Sequence, residues 1–140
     1  MFDQPIRNIM EQKKFLTAPP DTTVSSAAKL MADRNVGAVL VVENNHLIGI
    51  FSERDAVFRV IAKGLDAVTT RLIDVMTASP KTLDASKTYG HALLLMQENG
   101  FRHVPVMDHD RLVGIVSSRN AMDPDMEEFI SEERRREYHR

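Results

Sequence analysis

The apolar positions that follow Pro20 recur every three or four residues, which is the spacing of an amphipathic helix. Thr23 comes directly before this run and carries a hydroxyl that can cap a helix N-terminus. The pattern therefore predicts a helix that begins after Thr23 and ends near Asn35. Its buried face is expected to contain Val24, Ala27, Ala28 and Met31.

Two β-rich runs follow this helix, at 39–43 and 46–51, and each has the length of an ordinary strand. Asn44 and Asn45 separate them. Asparagine tolerates the positive φ that a tight turn requires, so the pair predicts a two-residue hairpin.

Ser52 directly follows the hairpin and predicts the N-cap of a second helix. Asp55 stands three residues later, where an acidic side chain can complete a capping box. A short extended segment is also expected at 13–18, ahead of Pro19. The predicted order is therefore strand, helix, strand, strand, helix.

The chain then repeats this order 65 residues later. The second copy has an extended start at 82–83, a helix capped by Thr88 and stopped by Asn99-Gly100, a hairpin around His109-Asp110, and a last helix capped by Ser117. Identical pairs are Thr23/Thr88, Ala27/Ala92, Leu30/Leu95, Met31/Met96, Val39/Val104, Val41/Val106, Leu47/Leu112, Gly49/Gly114, Ile50/Ile115, Ser52/Ser117, Arg54/Arg119 and Ala56/Ala121. One copy is too short to bury a large core, so two copies are expected to pack about a pseudo-twofold axis.

This repetition predicts an α+β fold of two β-α-β-β-α repeats followed by a C-terminal helix. A strand joined to the next by a helix implies a right-handed parallel crossover in each repeat. The predicted domains are 5–64, 71–122 and a helical tail at 123–140, with a linker at 64–70. The tail is interpreted as a solvated helix. The alternative is that Phe129 and Ile130 dock on a second subunit and that Arg134, Arg135 and Arg136 meet an acidic partner.

Composition narrows the functional classes. The 140 residues carry a formal net charge of -2, which gives no general basic field for nucleic acid. There is no cysteine, so disulfides and thiolate chemistry are excluded. The N-terminal residues lack the apolar core of a secretory signal and no run has membrane-spanning length, so a cytoplasmic location is expected. The chain contains none of the common phosphate-loop, dinucleotide, zinc-protease or nucleophile-elbow motifs, so no enzymatic activity is expected.

The segments GIFSERD at 49–55 and GIVSSRN at 114–120 carry the candidate chemistry. In each, a glycine would let a ligand approach the backbone, and a helix start would favour an oxygen-rich or anionic ligand. The Asp55 carboxylate could accept from both hydroxyls of a ribose diol, whereas Asn120 offers one carbonyl oxygen. The alternative is that these side chains only cap their helices.

The two copies resemble the cystathionine β-synthase (CBS) domain pair, also called the Bateman module, over residues 5–122. The resemblance rests on IRNIM, PPDTTVSSAAKLM, VGAVLVV and LIGIFSERDA in the first copy and on IDVMTASPKTL, ALLLMQENGFRHVPVMD and LVGIVSSRNA in the second. It implies an adenosine ligand, namely AMP, ADP, ATP, NAD(H) or S-adenosylmethionine, in two clefts between the repeats. It also implies a flat homodimer with contacts around Val57, Phe58, Ile61 and Met122.

The resemblance assigns site residues by position. In the first cleft it places Ile50 against the base, Ser52 and Asp55 on the ribose, and Thr77, Lys81, Arg102, His103 and Pro105 on the opposite wall. The candidate phosphate cations are Arg54, Lys81, Arg102 and His103, and Met10 and Met76 are candidates for the adenine pocket. The mirror cleft would contain Ile115, Ser117, Arg119 and Asn120, opposed by Leu16, Thr17, Gly37 and Ala38. Asn120 and the Gly37-Ala38 pair depart from the family pattern, so this cleft is expected to be weak, differently selective or empty.

Two functional hypotheses lead, beside the disfavoured alternative of an enzyme that acts on a nucleotide, which turnover would reveal. The first is a regulatory module that binds an adenine nucleotide and is read by an unidentified protein partner. The second is a structural or oligomerisation module whose clefts have lost their ligand. No metal site is expected, because His109 lies at a predicted hairpin tip, where polar residues are ordinary.

Overall fold

The computed structural model describes residues 2–10, 15–121, 133 and 135–136. The predicted C-terminal helix therefore lies almost wholly outside the described residues, together with Met122, Phe129, Ile130 and Arg134. The start of the extended segment predicted at 13–18 is also outside them. Within the described ranges, no helix combines the length and apolar character needed to cross a membrane.

Contacts divide the chain into two compact units, formed by residues 12–82 and by residues 1–11 with 83–140. We call them the 12–82 unit and the 83–140 unit. The first eleven residues thus group with the second copy of the repeat, and residues 71–82 group with the first copy. The predicted boundaries at 64 and 71 separate the two copies of the sequence repeat, whereas the two packing units meet in the chain after residues 11 and 82.

The 12–82 unit is built on a four-stranded sheet. Its elements are β1 (Thr17–Ala18), α1 (Val24–Arg34), β2 (Ala38–Glu43), β3 (His46–Ser52), α2 (Glu53–Asp55), a π-helix (Ala56–Ile61), α3 (Leu72–Val75) and β4 (Thr77–Ala78). The strand order is β1-β2-β3-β4, with β1 parallel to β2 and the other pairs antiparallel. The parallel pairing of β1 with β2 confirms the predicted crossover through α1.

The 83–140 unit repeats this plan with three strands. Its elements are a 3-10 turn (Ile6–Asn8), β5 (Leu83–Asp84), α4 (Tyr89–Asn99), β6 (His103–Asp108), β7 (Arg111–Ser117) and a second 3-10 turn (Ser118–Ala121). β5 is parallel to β6, and β6 is antiparallel to β7. The predicted α+β class and the repeated order of elements are confirmed.

Each unit has its own apolar core. In the 12–82 unit the face of α1 packs on β2 and β3, with Ala27, Val39, Val41, Phe51 and Leu72 fully buried. In the 83–140 unit the equivalent cluster contains Ile6, Tyr89, Ala92, Val104, Val106 and Val116. Ile6 and Leu72 occupy corresponding places. Ile6 lies before the first copy of the repeat but packs into the core of the 83–140 unit, and Leu72 lies before the second copy but packs into the core of the 12–82 unit.

Most local signals in the sequence are confirmed, but Ala28, which was predicted on the buried face of α1, is exposed. The hydroxyls of Thr23 and Thr88 accept hydrogen bonds from the amides of Ser26 and His91, so both are N-caps. Asn35 and Gly100 end the two helices in the left-handed conformation. Asn44 and Asn45 have φ values of 51° and 64°, as the predicted hairpin turn requires.

Four elements were not predicted: the 3-10 turn Ile6–Asn8, α3, β4 and the π-helical form of Ala56–Ile61. In the π-helix the amide of Ala62 donates to the carbonyl of Val57, five residues back. α3 is anchored to distant residues, because the amides of Leu72 and Ile73 donate to the carbonyls of Thr22 and Pro20. β4 exists only through its pairing with β3. None of these contacts leaves a periodic signal in the local sequence.

Candidate functional site

The junction of β3 and α2 positions the first candidate site. Ser52 is extended, and its hydroxyl accepts from the amide of Asp55, while the Asp55 side chain accepts from the amide of Ser52. This is the predicted capping box. Because both side chains are fixed by main-chain groups, the Asp55 carboxylate is held in one orientation at the end of the strand.

The two oxygens of Asp55 differ in their surroundings. Oδ2 accepts from the Ser52 amide at 3.0 Å and from the Ser52 hydroxyl at 3.2 Å. Oδ1 lies 3.6 Å from Nε of Arg59, which is an ion-pair distance rather than a hydrogen bond, and the Asp55 side chain is 14% exposed. A carboxylate oxygen has room for about two donors, so Oδ2 is filled and Oδ1 is the atom able to accept from a ligand.

Arg59 is a residue of this site that the sequence did not single out. Nη1 of Arg59 donates to the carbonyl of Met76 at 3.0 Å and to that of Val75 at 3.4 Å. Arg59 thus joins the Asp55 carboxylate to the C-terminal end of α3. The only local signal was the i,i+4 spacing of an acid and a base on a predicted helix, which is common on surface helices.

Gly49 and Met76 meet where β3 pairs with β4. A side chain at Gly49 would collide with Sδ of Met76 and would lie 3.0 Å from Cγ of Met76. The Met76 side chain thus fills the space in which a Cβ of residue 49 would lie, and the predicted approach of a ligand to the backbone of Gly49 stays a prediction. Thr77 pairs with Ile50 in the same ladder, so the structure brings both of these predicted site residues to one edge.

The remaining predicted residues of the 12–82 unit differ in burial and in their contacts. Ala38 is buried and pairs with Ser52, and the carbonyl of Gly37 accepts from the amide of Glu53 at 3.0 Å. Arg54 is exposed with its guanidinium 5.2 Å from the centre of the Phe58 ring. Leu16 is buried, whereas Thr17 and Lys81 are exposed.

The second copy of the site, in the 83–140 unit, is more enclosed. Oδ1 of Asn120 accepts from the amide of Ser117 at 2.7 Å and from its hydroxyl at 3.2 Å. Ser117 and Asn120 are each 7% exposed and Ile115 is 6% exposed, whereas their counterparts Ser52, Asp55 and Ile50 are half-buried. The carbonyl oxygen of Asn120 already accepts two hydrogen bonds, so this copy has less to offer a ligand.

The other predicted residues of the 83–140 unit lie on or beside its sheet. Pro105 is fully buried and pairs with Ile115, and the half-buried His103 pairs with Ser117. Arg102 and Arg119 are exposed, and the carbonyl of Arg102 accepts from the amide of Ser118 at 3.1 Å. The joining of these residues to Asp55 in one cleft stays a prediction.

The turn between β6 and β7 holds a histidine whose pKa is shifted by a neighbouring carboxylate. Nδ1 of His109 lies 2.9 Å from Oδ1 of Asp108, and this hydrogen bond raises the pKa of His109 above its usual 6.5. His109 is 93% exposed and has a positive φ of 58°, as expected for a solvated turn. Among the described residues, no group of three or more His, Asp or Glu side chains is placed to hold a metal ion.

The solved structures that share this fold include two from bacteria and archaea. A protein with CBS domains from Burkholderia ambifaria superimposes with a TM-score of 0.75 at 32% identity, covering 78% of this chain and 80% of that one. A CBS domain protein from Pyrobaculum aerophilum, solved in complex with AMP, has a TM-score of 0.75 at 22% identity and covers 84% of this chain and 89% of that one. At the lower identity the likeness shows a shared fold alone.

Sequence comparison gives the family. The mitochondrial CBS domain-containing protein CBSX3 of Arabidopsis thaliana is 34% identical over 123 residues, which cover 80% of this chain and 60% of the relative. The chain spans between 13% and 60% of the length of the first curated relatives that it matches. The family model for the CBS domain matches twice, at residues 6–62 and 72–124. The chain therefore belongs to the CBS domain family and carries two copies of the domain.

Proposed function

We propose that the chain is a regulatory module that binds an adenosine nucleotide at the copy of the site that contains Asp55. The observation that carries this proposal is the Asp55 carboxylate, whose Oδ2 is filled by Ser52 while Oδ1 remains available at the end of β3. Membership of the CBS family supports a regulatory nucleotide-binding role in general. The AMP bound by the Pyrobaculum aerophilum protein supports the ligand class.

The ligand proposed first is AMP, and ADP, ATP, NAD(H) and S-adenosylmethionine share the same adenosine group. A ribose hydroxyl would donate to Oδ1 of Asp55, because that oxygen has room for a donor. Ile50 and Met76 would provide apolar contact for the base, and Thr77 lies beside them in the ladder. Candidate cations for the phosphate remain Arg54, Lys81, Arg102 and His103.

The copy of the site that contains Asn120 is proposed to bind weakly or to stay empty. Its three central side chains, Ile115, Ser117 and Asn120, are buried. An amide oxygen that already accepts two hydrogen bonds is also a weaker acceptor than a carboxylate. One nucleotide per chain is therefore the expected stoichiometry.

The proposed regulatory output is a change in a homodimer or in a bound protein. Val57, Phe58 and Ile61 lie on the π-helix with exposures of 49%, 55% and 71%, and exposed apolar side chains this close together are typical of interfaces. We propose this surface as the homodimer contact. No catalytic role is proposed. A cytoplasmic location stays a prediction, since the relative CBSX3 is a mitochondrial protein by name.

Calorimetric titration with AMP, ADP, ATP, NADH and S-adenosylmethionine tests the proposal. Asp55→Asn is the informative variant, because the side-chain oxygen of Asn120 accepts from the amide and hydroxyl of Ser117 just as Oδ2 of Asp55 accepts from those of Ser52. We expect AMP affinity to fall roughly tenfold or more, since hydrogen bonds to charged groups exceed neutral ones by about that factor. The matched control is Asp74→Asn, which removes an exposed ion pair with Arg71 and should leave affinity unchanged.

The second candidate is a structural module without a ligand, and it is favoured by the capping role that Ser52 and Asp55 already perform. This candidate predicts no rise in melting temperature with millimolar AMP, ATP or NADH, whereas a ligand that binds only the folded state stabilises it by an amount that grows logarithmically with ligand concentration above Kd. A rise that Asp55→Asn removes would contradict it. Conversion of any of these nucleotides to products would contradict both candidates.

A further inference from the structure

Arg59 makes contacts on two sides of the candidate site, and neither contact is explained by the capping of α2. Its Nε lies 3.6 Å from Oδ1 of Asp55, and its Nη1 donates to the carbonyls of Met76 and Val75 at 3.0 Å and 3.4 Å. The side chain itself is 48% exposed. An exposed arginine is usually free to change rotamer, so contacts with two separate elements indicate that this one is held in place.

We propose that Arg59 is a positioning residue for Asp55 and makes the site selective for ribose over 2′-deoxyribose. This inference rests on the proposed function, since it concerns the same carboxylate. Arg59 is expected to act through Asp55 and to leave the base and phosphate contacts unchanged.

The geometry at the carboxylate gives the reason. The two bonds from Ser52 reach only Oδ2, so they restrain one end of the carboxylate. Arg59 restrains the other end, and its distance of 3.6 Å from Oδ1 leaves that oxygen able to accept a hydrogen bond. Because hydrogen bonds weaken steeply as their angle worsens, a fixed Oδ1 favours a hydroxyl at one defined position.

The contacts to Val75 and Met76 fix the guanidinium in turn. These carbonyls belong to the last residue of α3 and its C-cap, where main-chain oxygens lack partners within the helix. A guanidinium presents several N-H groups in one rigid plane, so it can donate to these carbonyls while facing a carboxylate. A lysine ammonium at this position would have the charge without the planar set of donors.

The second copy lacks this arrangement at the level of sequence. The residue equivalent to Arg59, 65 positions later, is Pro124, and Asn120 replaces the aspartate. At the two equivalent positions the first copy thus has an aspartate and an arginine, whereas the second has an asparagine and a proline. This pattern fits a pair of residues that work together, because a partly buried carboxylate benefits from a fixed cation.

Titration of the full chain with AMP and with 2′-deoxy-AMP tests the proposal. The unaltered protein should prefer AMP roughly tenfold or more, as expected for one hydrogen bond to a charged group. Arg59→Met should bring the two affinities to within about threefold of each other. Arg59→Lys should give an intermediate ratio of the two affinities, since lysine keeps the positive charge without the planar set of N-H donors.

Arg71→Met is the matched control. Arg71 also pairs with an acid, because its Nε lies 3.5 Å from Oδ2 of Asp74, and both side chains are about half exposed. Its removal should leave the preference for AMP unchanged. A change in stability alone would alter both affinities together and would leave their ratio as it was, so the ratio separates positioning from a structural role.

The outcomes are distinct. An unaltered preference for AMP in both Arg59→Met and Arg59→Lys would overturn the inference while the proposed function stood. Equal affinity of the unaltered protein for the two nucleotides would also overturn it, because selection at the 2′-hydroxyl would not exist. If the unaltered protein bound neither nucleotide, the proposed function would fail and the inference with it. If Arg59→Met did not fold, the ratio measured with Arg59→Lys would decide alone.

Discussion

The hydroxyl of Tyr89 donates a hydrogen bond of 2.8 Å to the main-chain carbonyl of Ser117. Tyr89 is the first residue of α4 and is fully buried, while Ser117 is the last residue of β7. The bond therefore ties the start of a helix to the end of a strand beside the second copy of the site. Position 24 of the first copy, equivalent to Tyr89, is a valine, so this tie is specific to one copy.

Tyr89→Phe should destabilise the protein by about 1–3 kcal/mol, because it leaves a buried carbonyl without this donor and keeps the ring in the core. Urea unfolding followed by circular dichroism measures the loss. Phe51→Leu, a change of buried volume without a polar group, serves as a comparison for packing effects. A loss below about 0.5 kcal/mol for Tyr89→Phe would show that the hydroxyl contributes little.

Gly49→Ala should destabilise the 12–82 unit by roughly 1–3 kcal/mol, because the added methyl group meets the Met76 side chain. The clash is with a flexible side chain, so truncating Met76 should relieve it. In the double variant Gly49→Ala/Met76→Ala the total loss should be smaller than the sum of the single losses by at least about 0.5 kcal/mol. Additive losses in a double-mutant cycle would mean that the two residues do not compete for the same space.

Asn120→Asp should destabilise the 83–140 unit by roughly 1–3 kcal/mol at neutral pH. The new carboxylate would be buried, and position 124 supplies a proline where the first copy supplies Arg59. Because burial would raise the folded-state pKa of the new carboxyl above its unfolded value of about 3.9, the loss should shrink as the pH falls through the raised value and should vanish below about 4. Asn45→Asp, at an exposed turn, is the control and should change stability by less than about 0.5 kcal/mol. A loss independent of pH would argue against a charge effect.

His109 should titrate above its usual pKa of 6.5, chiefly because Asp108 accepts a hydrogen bond from its ring. A pKa raised on folding gives stability that is fully present below the unfolded value and is lost as the pH rises through the folded value. NMR titration of the ring protons measures this pKa. Asp108→Asn should return it toward 6.5, and an unchanged value in that variant would assign the shift to Asp84 or Asp110, which act in the same direction.

Much of the fold could be predicted because its signals are local. The N-caps at Thr23 and Thr88, the left-handed ends at Asn35 and Gly100, and the Asn44-Asn45 turn each depend on a few neighbouring residues. The capping box of Ser52 with Asp55 is equally local, since three residues separate its partners. The repeat itself then extended every local prediction from one copy to the other.

The elements and contacts that the sequence did not predict depend on residues distant in the chain. β4 and α3 are too short to show a periodic pattern, and contacts with β3 and with the residues that precede α1 stabilise them. The contact of Gly49 with Met76 could not be predicted because the two residues lie 27 positions apart in the chain. Arg59 was overlooked for the same reason, since its partners Val75 and Met76 are 16 and 17 residues distant.

By itself the sequence determined the two copies, their order of elements, the capping side chains and the presence of an aspartate in one copy against an asparagine in the other. These features follow from short-range hydrogen bonding and from the spacing of apolar residues, and both are evident along the linear sequence. Tertiary structure decided which oxygen of Asp55 stays available, what fills the space at Gly49 and which cation faces the carboxylate. Those features depend on side chains that meet only after the strands pair and the segment after residue 71 packs against the first copy.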